Sequence, residues 1–215
     1  MVGRHISTRQ HLLDSGTRLA RQGGLRALTV RGVCEAAGAN PGTFVYHFGT
    51  RDAFIAELIE RWYAPLMSSL TATVDRGGSP RARLRGLVLQ LATWAAANSR
   101  FITTLVLDAA AKEPAAQQFL RSLAGRHPPL ILRVLREGQQ AGELRAADPL
   151  HQLLFLMSAM ALPILLTDRM ADSGLAPRVL AATLRRFARD RQSIEQRLDW
   201  ALAGLSMEAA DVVRH

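Results

Sequence analysis

Between Thr29 and Arg51 the chain starts a helix, stops it and starts another, which leaves little freedom in how the two can lie. Thr29 supplies a capping oxygen before a run in which Val30, Val33, Cys34 and Ala37 recur on one helical face. Gly38 ends that run, because glycine accepts the left-handed conformation that closes a helix without a Cβ penalty. Asn40 then caps a second helix, and Pro41, fixed in φ, suits its first position. The second helix is very short. Phe44 and Phe48, four apart, are predicted to anchor it on a core, leaving Gly42, Thr43, Val45, Tyr46 and His47 outward or along the edge.

This outward set suits DNA. Thr and Tyr hydroxyls, a His ring nitrogen and the free N–H groups of a helix N-terminus all donate to phosphate oxygens, which fixes register without reading sequence. Pro41 and Gly42 are small enough for close approach to base edges. Val45 is then available for a thymine methyl, and Arg31 on the preceding helix for a bidentate guanine contact. Thr50 is expected to cap a following helix. Arg51 in its first turn sits unfavourably on the positive end of the dipole, so it is expected to answer to an external phosphate.

The series Gly38-x-x-x-Gly42-Thr43-Phe44-x-Tyr46-His47-Phe48, preceded by an amphipathic helix and Gly24, resembles the N-terminal domain of the tetracycline-repressor (TetR) family of bacterial transcription regulators, over roughly residues 9 to 60. The resemblance implies that Arg31, Pro41 and Gly42 lie close to bases, and that Thr29, Thr43, Tyr46, His47 and Arg51 hold the backbone. Asn40 completes the predicted DNA-binding set. Two positions depart from the family. Val45 stands where many members carry an aromatic residue, and Arg51 replaces the more usual Lys, which keeps the charge and changes its geometry.

Charge is concentrated where the motif is. The net charge is +9, with Lys112 the one lysine among 27 basic residues. Through residue 51, Arg4, Arg9, Arg18, Arg21, Arg26, Arg31 and Arg51 face only Asp14 and Glu35. Met1 to His11 lacks the apolar core of a signal peptide, so a cytoplasmic location is expected. Leu153 to Leu166, interrupted by Ser158 and Pro163, reads as too short for a membrane span and right for a buried helix. Cys34, the single cysteine, is expected to pack as a small apolar residue. The six histidines show no metal-ligand spacing, and the chain has no Gly-rich phosphate loop or nucleophile motif. No catalytic residue, metal or cofactor is predicted.

The remaining pattern is helical nearly throughout, so an all-α fold of about nine helices is expected. A first helix from Ser7 to Gln22 turns Leu12, Leu13, Gly16, Leu19 and Ala20 to one face. A long helix runs from Asp52 to about Val74 and ends at Asp75-Arg76-Gly77-Gly78-Ser79-Pro80. Further helices are predicted over 80–98, 100–111, 114–124, 128–140, 148–170 and 178–205, with 206–215 fraying. The helix-turn-helix domain is placed at 1–50 and a larger helical domain at 51–215, because the long helix serves both.

The 148–170 helix is apolar nearly all round, and the last helix carries Leu184, Phe187, Ile194, Leu198 and Leu202 at helical spacing. Such a pair docking on its copy gives a four-helix bundle, which in the resembling family is the usual dimer interface. A two-fold dimer places two recognition helices roughly 34 Å apart, one turn of DNA. An effector pocket is expected among helices of the larger domain, from Trp94, Phe101, Thr104, Asp108, Phe119, His127, Phe155, Met157 and Met160. Asp108, amid Leu105, Val106, Leu107 and Ala109, must face solvent or meet a polar partner. The resemblance implies a homodimeric repressor on a palindromic double-stranded DNA operator, released by a small molecule, with no membrane involved. An activator of the same fold and a helical protein-interaction adaptor are the alternatives.

Overall fold

In the computed structural model, which describes residues 7–172 and 177–207, the elements are α-helices with one short 3-10 turn. The described residues contain no strand, only an isolated antiparallel bridge between Leu144 and Ser206. The fraying expected at the C-terminus falls largely outside these residues. The chain divides into two compact units, Met1–Pro65 with Arg100–Ser122, and Leu66–Ser99 with Leu123–His215.

The first unit is built on α1 (Thr8–Gly23), α2 (Val30–Ala37) and α3 (Pro41–Phe48). It adds the start of α4 (Arg51–Asp75), the end of α5 (Pro80–Ala110) and α6 (Pro114–Ser122). Its core is aromatic around α3. Phe44, Phe48 and Phe54 meet pairwise with ring centroids 4.9–5.3 Å apart. Gly16 of α1 lies directly beneath them: a Cβ there would come within 2.8 Å of Phe54 Cε1 and 3.0 Å of Leu58 Cδ1. The glycine is therefore a packing requirement of the α1–α4 contact. Cys34 is buried, and burial, then the neighbouring Glu35 charge, push its thiol pKa up, as for an inert packed cysteine.

The second unit holds the rest of α4 and α5, a 3-10 turn (Leu123–Gly125), α7 (His127–Gln140), α8 (Pro149–Asp172), α9 (Arg178–Arg189) and α10 (Arg191–Leu205). Two boundaries differ from those expected. The helices predicted over 80–98 and 100–111 are one helix that runs on through Asn98, whose amide donates back to the Trp94 carbonyl one turn earlier at 2.8 Å. The helix predicted over 178–205 is two. Asp190 closes α9 in extended conformation, and its carboxylate accepts from Ser193 N at 3.1 Å to cap α10.

In α8 the apolar stretch is longer than Leu153 to Leu166. Pro149–Thr167 has a mean hydropathy of 1.8 and is long and apolar enough, by length and composition, to cross a bilayer. Only 33% of that stretch is buried, which corrects the expectation of a buried helix. Leu153, Leu156, Met160, Ile164 and Thr167 form the buried face, while Leu150, Leu154, Phe155, Leu162 and Leu166 are exposed. Gln152, also buried, is satisfied by the Arg145 carbonyl and the Gln139 amide, both at 2.9 Å. Ile194, Leu198 and Leu202 of α10 fill the unit's own core, leaving Trp200 and Phe187 as outward aromatics.

Candidate nucleic-acid interface

The local chemistry that starts and stops α2 and α3 fixes their pose. Thr29 Oγ1 accepts from Gly32 N at 3.0 Å and Asn40 Oδ1 from Thr43 N at 2.8 Å, satisfying amides that a helix start leaves open. Gly38 closes α2 in the left-handed region at φ 63°, with its N–H directed to the Cys34 and Glu35 carbonyls. The C-terminal end of α2 is held from α1: Ser15 Oγ donates to the Ala36 carbonyl at 3.1 Å, and Arg18 donates to Ser15 at 3.0 Å. With Phe44 and Phe48 turned inward, α3 presents Tyr46, 85% exposed, and Val45, 56% exposed. Pro41 and Gly42 are exposed and His47 half-buried, its ring edge-on to Tyr46 at 5.1 Å.

Arg31 lies on the outer face of α2 and pairs with Glu35 one turn on, at 2.7 Å. Both side chains are largely exposed, and such a pair contributes about 0.5 kcal/mol or less, so the guanidinium is easily redirected. Asn40 is a cap, and the Thr43 hydroxyl also donates to it at 3.1 Å. Thr43 must turn from Asn40 before it can serve a phosphate.

Arg51 is placed otherwise than the sequence suggests. Its Nε donates to the Leu28 carbonyl at 2.6 Å. Nη1 donates to Asp52 at 3.2 Å and Glu113 at 3.1 Å, and Nη2 to the Leu25 carbonyl at 2.9 Å and Glu113 at 3.1 Å. Burial alone would lower its pKa, but the Glu113 hydrogen bond and charge, with Asp52, more than reverse this, so the pKa is raised. A guanidinium has five N–H donors, and all five are occupied. In this structure Arg51 is engaged by internal partners, where the sequence had suggested an external phosphate. Glu113, which sequence reasoning missed, is the group that holds it. The only available signal was a single acid between Lys112 and Pro114.

The residues expected to line an effector pocket fall in both units. Phe101 and Phe119 belong to the first, in an aromatic cluster where Trp62 lies 4.6 Å from Phe101 and Tyr63 lies 5.1 Å from Phe119. Thr104 donates to the Arg100 carbonyl at 2.9 Å. Asp108 is buried and accepts from Leu25 N at 2.7 Å, so its polar partner is backbone. Trp94, His127, Met157 and Met160 belong to the second unit, with Met160 in its core. Burial lowers the His127 pKa to about 4. Phe155 lies on the exposed face of α8. Two clefts are described, of about 410 Å³ beside Arg81, Arg85 and Asp199 and about 370 Å³ beside Arg9, Glu57 and Arg61, and neither is lined by these candidates.

Two short helices joined through a left-handed glycine, the second docked by aromatics and presenting its polar face outward, define a helix-turn-helix module. Residues 12–58 match the family of bacterial regulatory proteins, tetR family. That match covers the helix-turn-helix module. The chain is 30% identical over 89 residues to the HTH-type transcriptional repressor KstR2 of Mycobacterium tuberculosis, covering 41% of this chain and 44% of that protein. It is 32% identical over 78 residues to the HTH-type transcriptional repressor NemR of Escherichia coli, covering 36% of this chain and 39% of that protein. The matched stretch thus spans less than half the length of these curated relatives. Likeness of fold extends further. The structure of the ketosteroid transcriptional regulator KstR2 of M. tuberculosis superposes with a TM-score of 0.65 over 96% of this chain and 98% of that one, at 21% identity. That of the superantigen PfiT gives 0.69 over 94% and 97%, at 20% identity.

Proposed function

We propose that the chain is a transcriptional repressor that binds a palindromic operator as a homodimer and is released by a small molecule. The observation that carries this reading is the outward face of α3: Val45 and Tyr46 exposed on a helix anchored by Phe44 and Phe48 and entered through the Asn40 cap. A helix so presented fits the major groove. Tyr46, His47, Thr43 and the open N–H groups of α3 serve phosphates, Thr29 assists at the start of α2, and Arg31, Pro41, Gly42 and Val45 face the bases. Residues 1–50 form the reading module and 51–215 the effector and dimer module, in a cytoplasmic protein.

The homodimer reading rests on the uncovered apolar face of α8, with the outward Trp200 of α10, a helix packed against it in the same unit. A second copy of this chain is the occupant we propose, since a two-fold pairing makes the face self-complementary and supplies one α3 helix for each half of a palindromic site. The effector's chemical class is left open, and Trp94, Phe101, Phe119, His127, Met157 and Met160 are the starting points for finding its pocket.

A gel-shift titration on DNA flanking the chain's own gene tests the reading. Sequence-preferring binding that weakens steeply with salt is expected. Absence of any such complex at low salt would sink it.

A further inference from the structure

The loop between α1 and α2 is clamped by acids from the end of α5. Helix α5 closes in a Schellman arrangement, with Glu113 N–H donating to the Asp108 carbonyl at 2.9 Å and Lys112 N–H to that of Ala109 at 3.0 Å. Lys112 takes the left-handed position at φ 66°, a conformation that favours glycine and that the surrounding structure must impose. The turn projects two buried carboxylates, Asp108 at 8% and Glu113 at 6% exposure. Carboxylates beside a helix C-terminus are disfavoured by the dipole and by burial, so each requires a partner.

Both partners lie on the DNA-reading module. Asp108 accepts from Leu25 N–H, and Glu113 takes two N–H groups of Arg51, whose other donors hold the Leu25 and Leu28 carbonyls. Leu28 immediately precedes Thr29, the cap from which α2 begins, and Arg51 opens α4 shortly after α3 ends. The clamp therefore fixes the chain on entry to α2 and on exit from α3. We infer that Asp108 and Glu113 are positioning residues for DNA binding, acting through Arg51 and the Leu25–Leu28 backbone without touching DNA.

This inference rests on the proposed reading of α3, and charge makes it separable. Glu113→Gln removes a negative charge from a DNA-binding chain, so electrostatics alone would tighten the complex. Positioning demands the opposite: about 10-fold weaker operator binding, with an unchanged dependence of log K on log salt. Arg51→Lys, which keeps the charge and loses the fork, is expected to weaken binding similarly. The double variant should be no weaker than the worse single one.

The test is anisotropy on the full chain across a salt series, with circular dichroism confirming helicity. It is paired with hydrogen exchange of residues 25–37 in the absence of DNA. Loss of protection in Glu113→Gln supports the clamp, as does the same loss in Arg51→Lys if the first variant does not fold. Equal or tighter DNA binding by Glu113→Gln, or unchanged protection, overturns it. So does a salt slope that falls by about one in Arg51→Gln, since that marks a phosphate contact. If the wild-type chain binds no DNA, the proposed function fails, and exchange alone decides whether the clamp exists.

Discussion

In α1–α3 the large apolar side chains left exposed are Val45 and Tyr46, whereas α8, α9 and α10 leave Leu150, Leu154, Phe155, Leu162, Leu166, Val179, Leu180, Phe187 and Trp200 uncovered. The first region is closed in itself: caps, the aromatic cluster and the Arg51 clamp account for its ends and its core. Its exposed residues are a polar edge with two apolar points, a surface suited to a wet, charged ligand. The second region has an apolar face that water covers at a cost of about 25 cal/mol per Å². A region of the first kind can read, and one of the second kind can pair.

That contrast breaks first at α8. Replacing Leu154 and Leu162 together by Glu sets two charges on the proposed dimer face, where an unpaired buried charge costs about 4 kcal/mol or more. Sedimentation equilibrium should show the variant as a monomer with unchanged helicity. A dimer of undiminished affinity would place the pairing face elsewhere.

The closed packing of the reading module is tested next. Gly16→Ala forces a methyl against Phe54 and Leu58, and overpacking of this kind costs about 3 kcal/mol. The melting midpoint should fall by about 6–10 °C. A change of a degree or less would mean that the Phe54 ring yields freely and that α1 does not fix α4.

A smaller effect belongs to the second unit and concerns the surroundings of the half-buried His127. His127 titrates at about 4 when folded, against an ordinary value of 6.5. Above 6.5 the imidazole is neutral in both states, and as pH falls towards 4 the unfolded chain takes up the proton first, so stability is lost. The loss between pH 7 and pH 5 is about 2 kcal/mol. Urea midpoints of the wild type and His127→Gln at the two pH values should show that increment in the wild type only. Equal pH dependence would remove His127 from a dry environment.

The helix-turn-helix was legible because its signals are local. Thr29, Gly38, Asn40-Pro41 and the Phe44/Phe48 pair each act within one turn of their own position, and each sits in the structure as such spacing requires. What escaped was non-local. Arg51 read as a phosphate ligand because its sequence neighbours show a helix N-terminus, while the carbonyls and Glu113 that hold it lie up to 62 positions away. Asn98 and Asp190 are both polar residues in long runs of helical pattern, and only packing decides which one breaks its helix. The second unit was harder still. Helical periodicity shows that α8 and α10 are apolar, but not that Leu198 faces inward and Trp200 outward.

The central claim is that the exposed edge of α3 meets the DNA backbone. Its most direct test is operator binding by Tyr46→Ala and the wild type over the same salt series. With the phosphate contact proposed for Tyr46, the variant should weaken binding by roughly 1 kcal/mol on preferred and scrambled duplexes alike, and the salt slope should flatten. Unchanged affinity and slope would remove α3's outer edge from the interface and contradict the account.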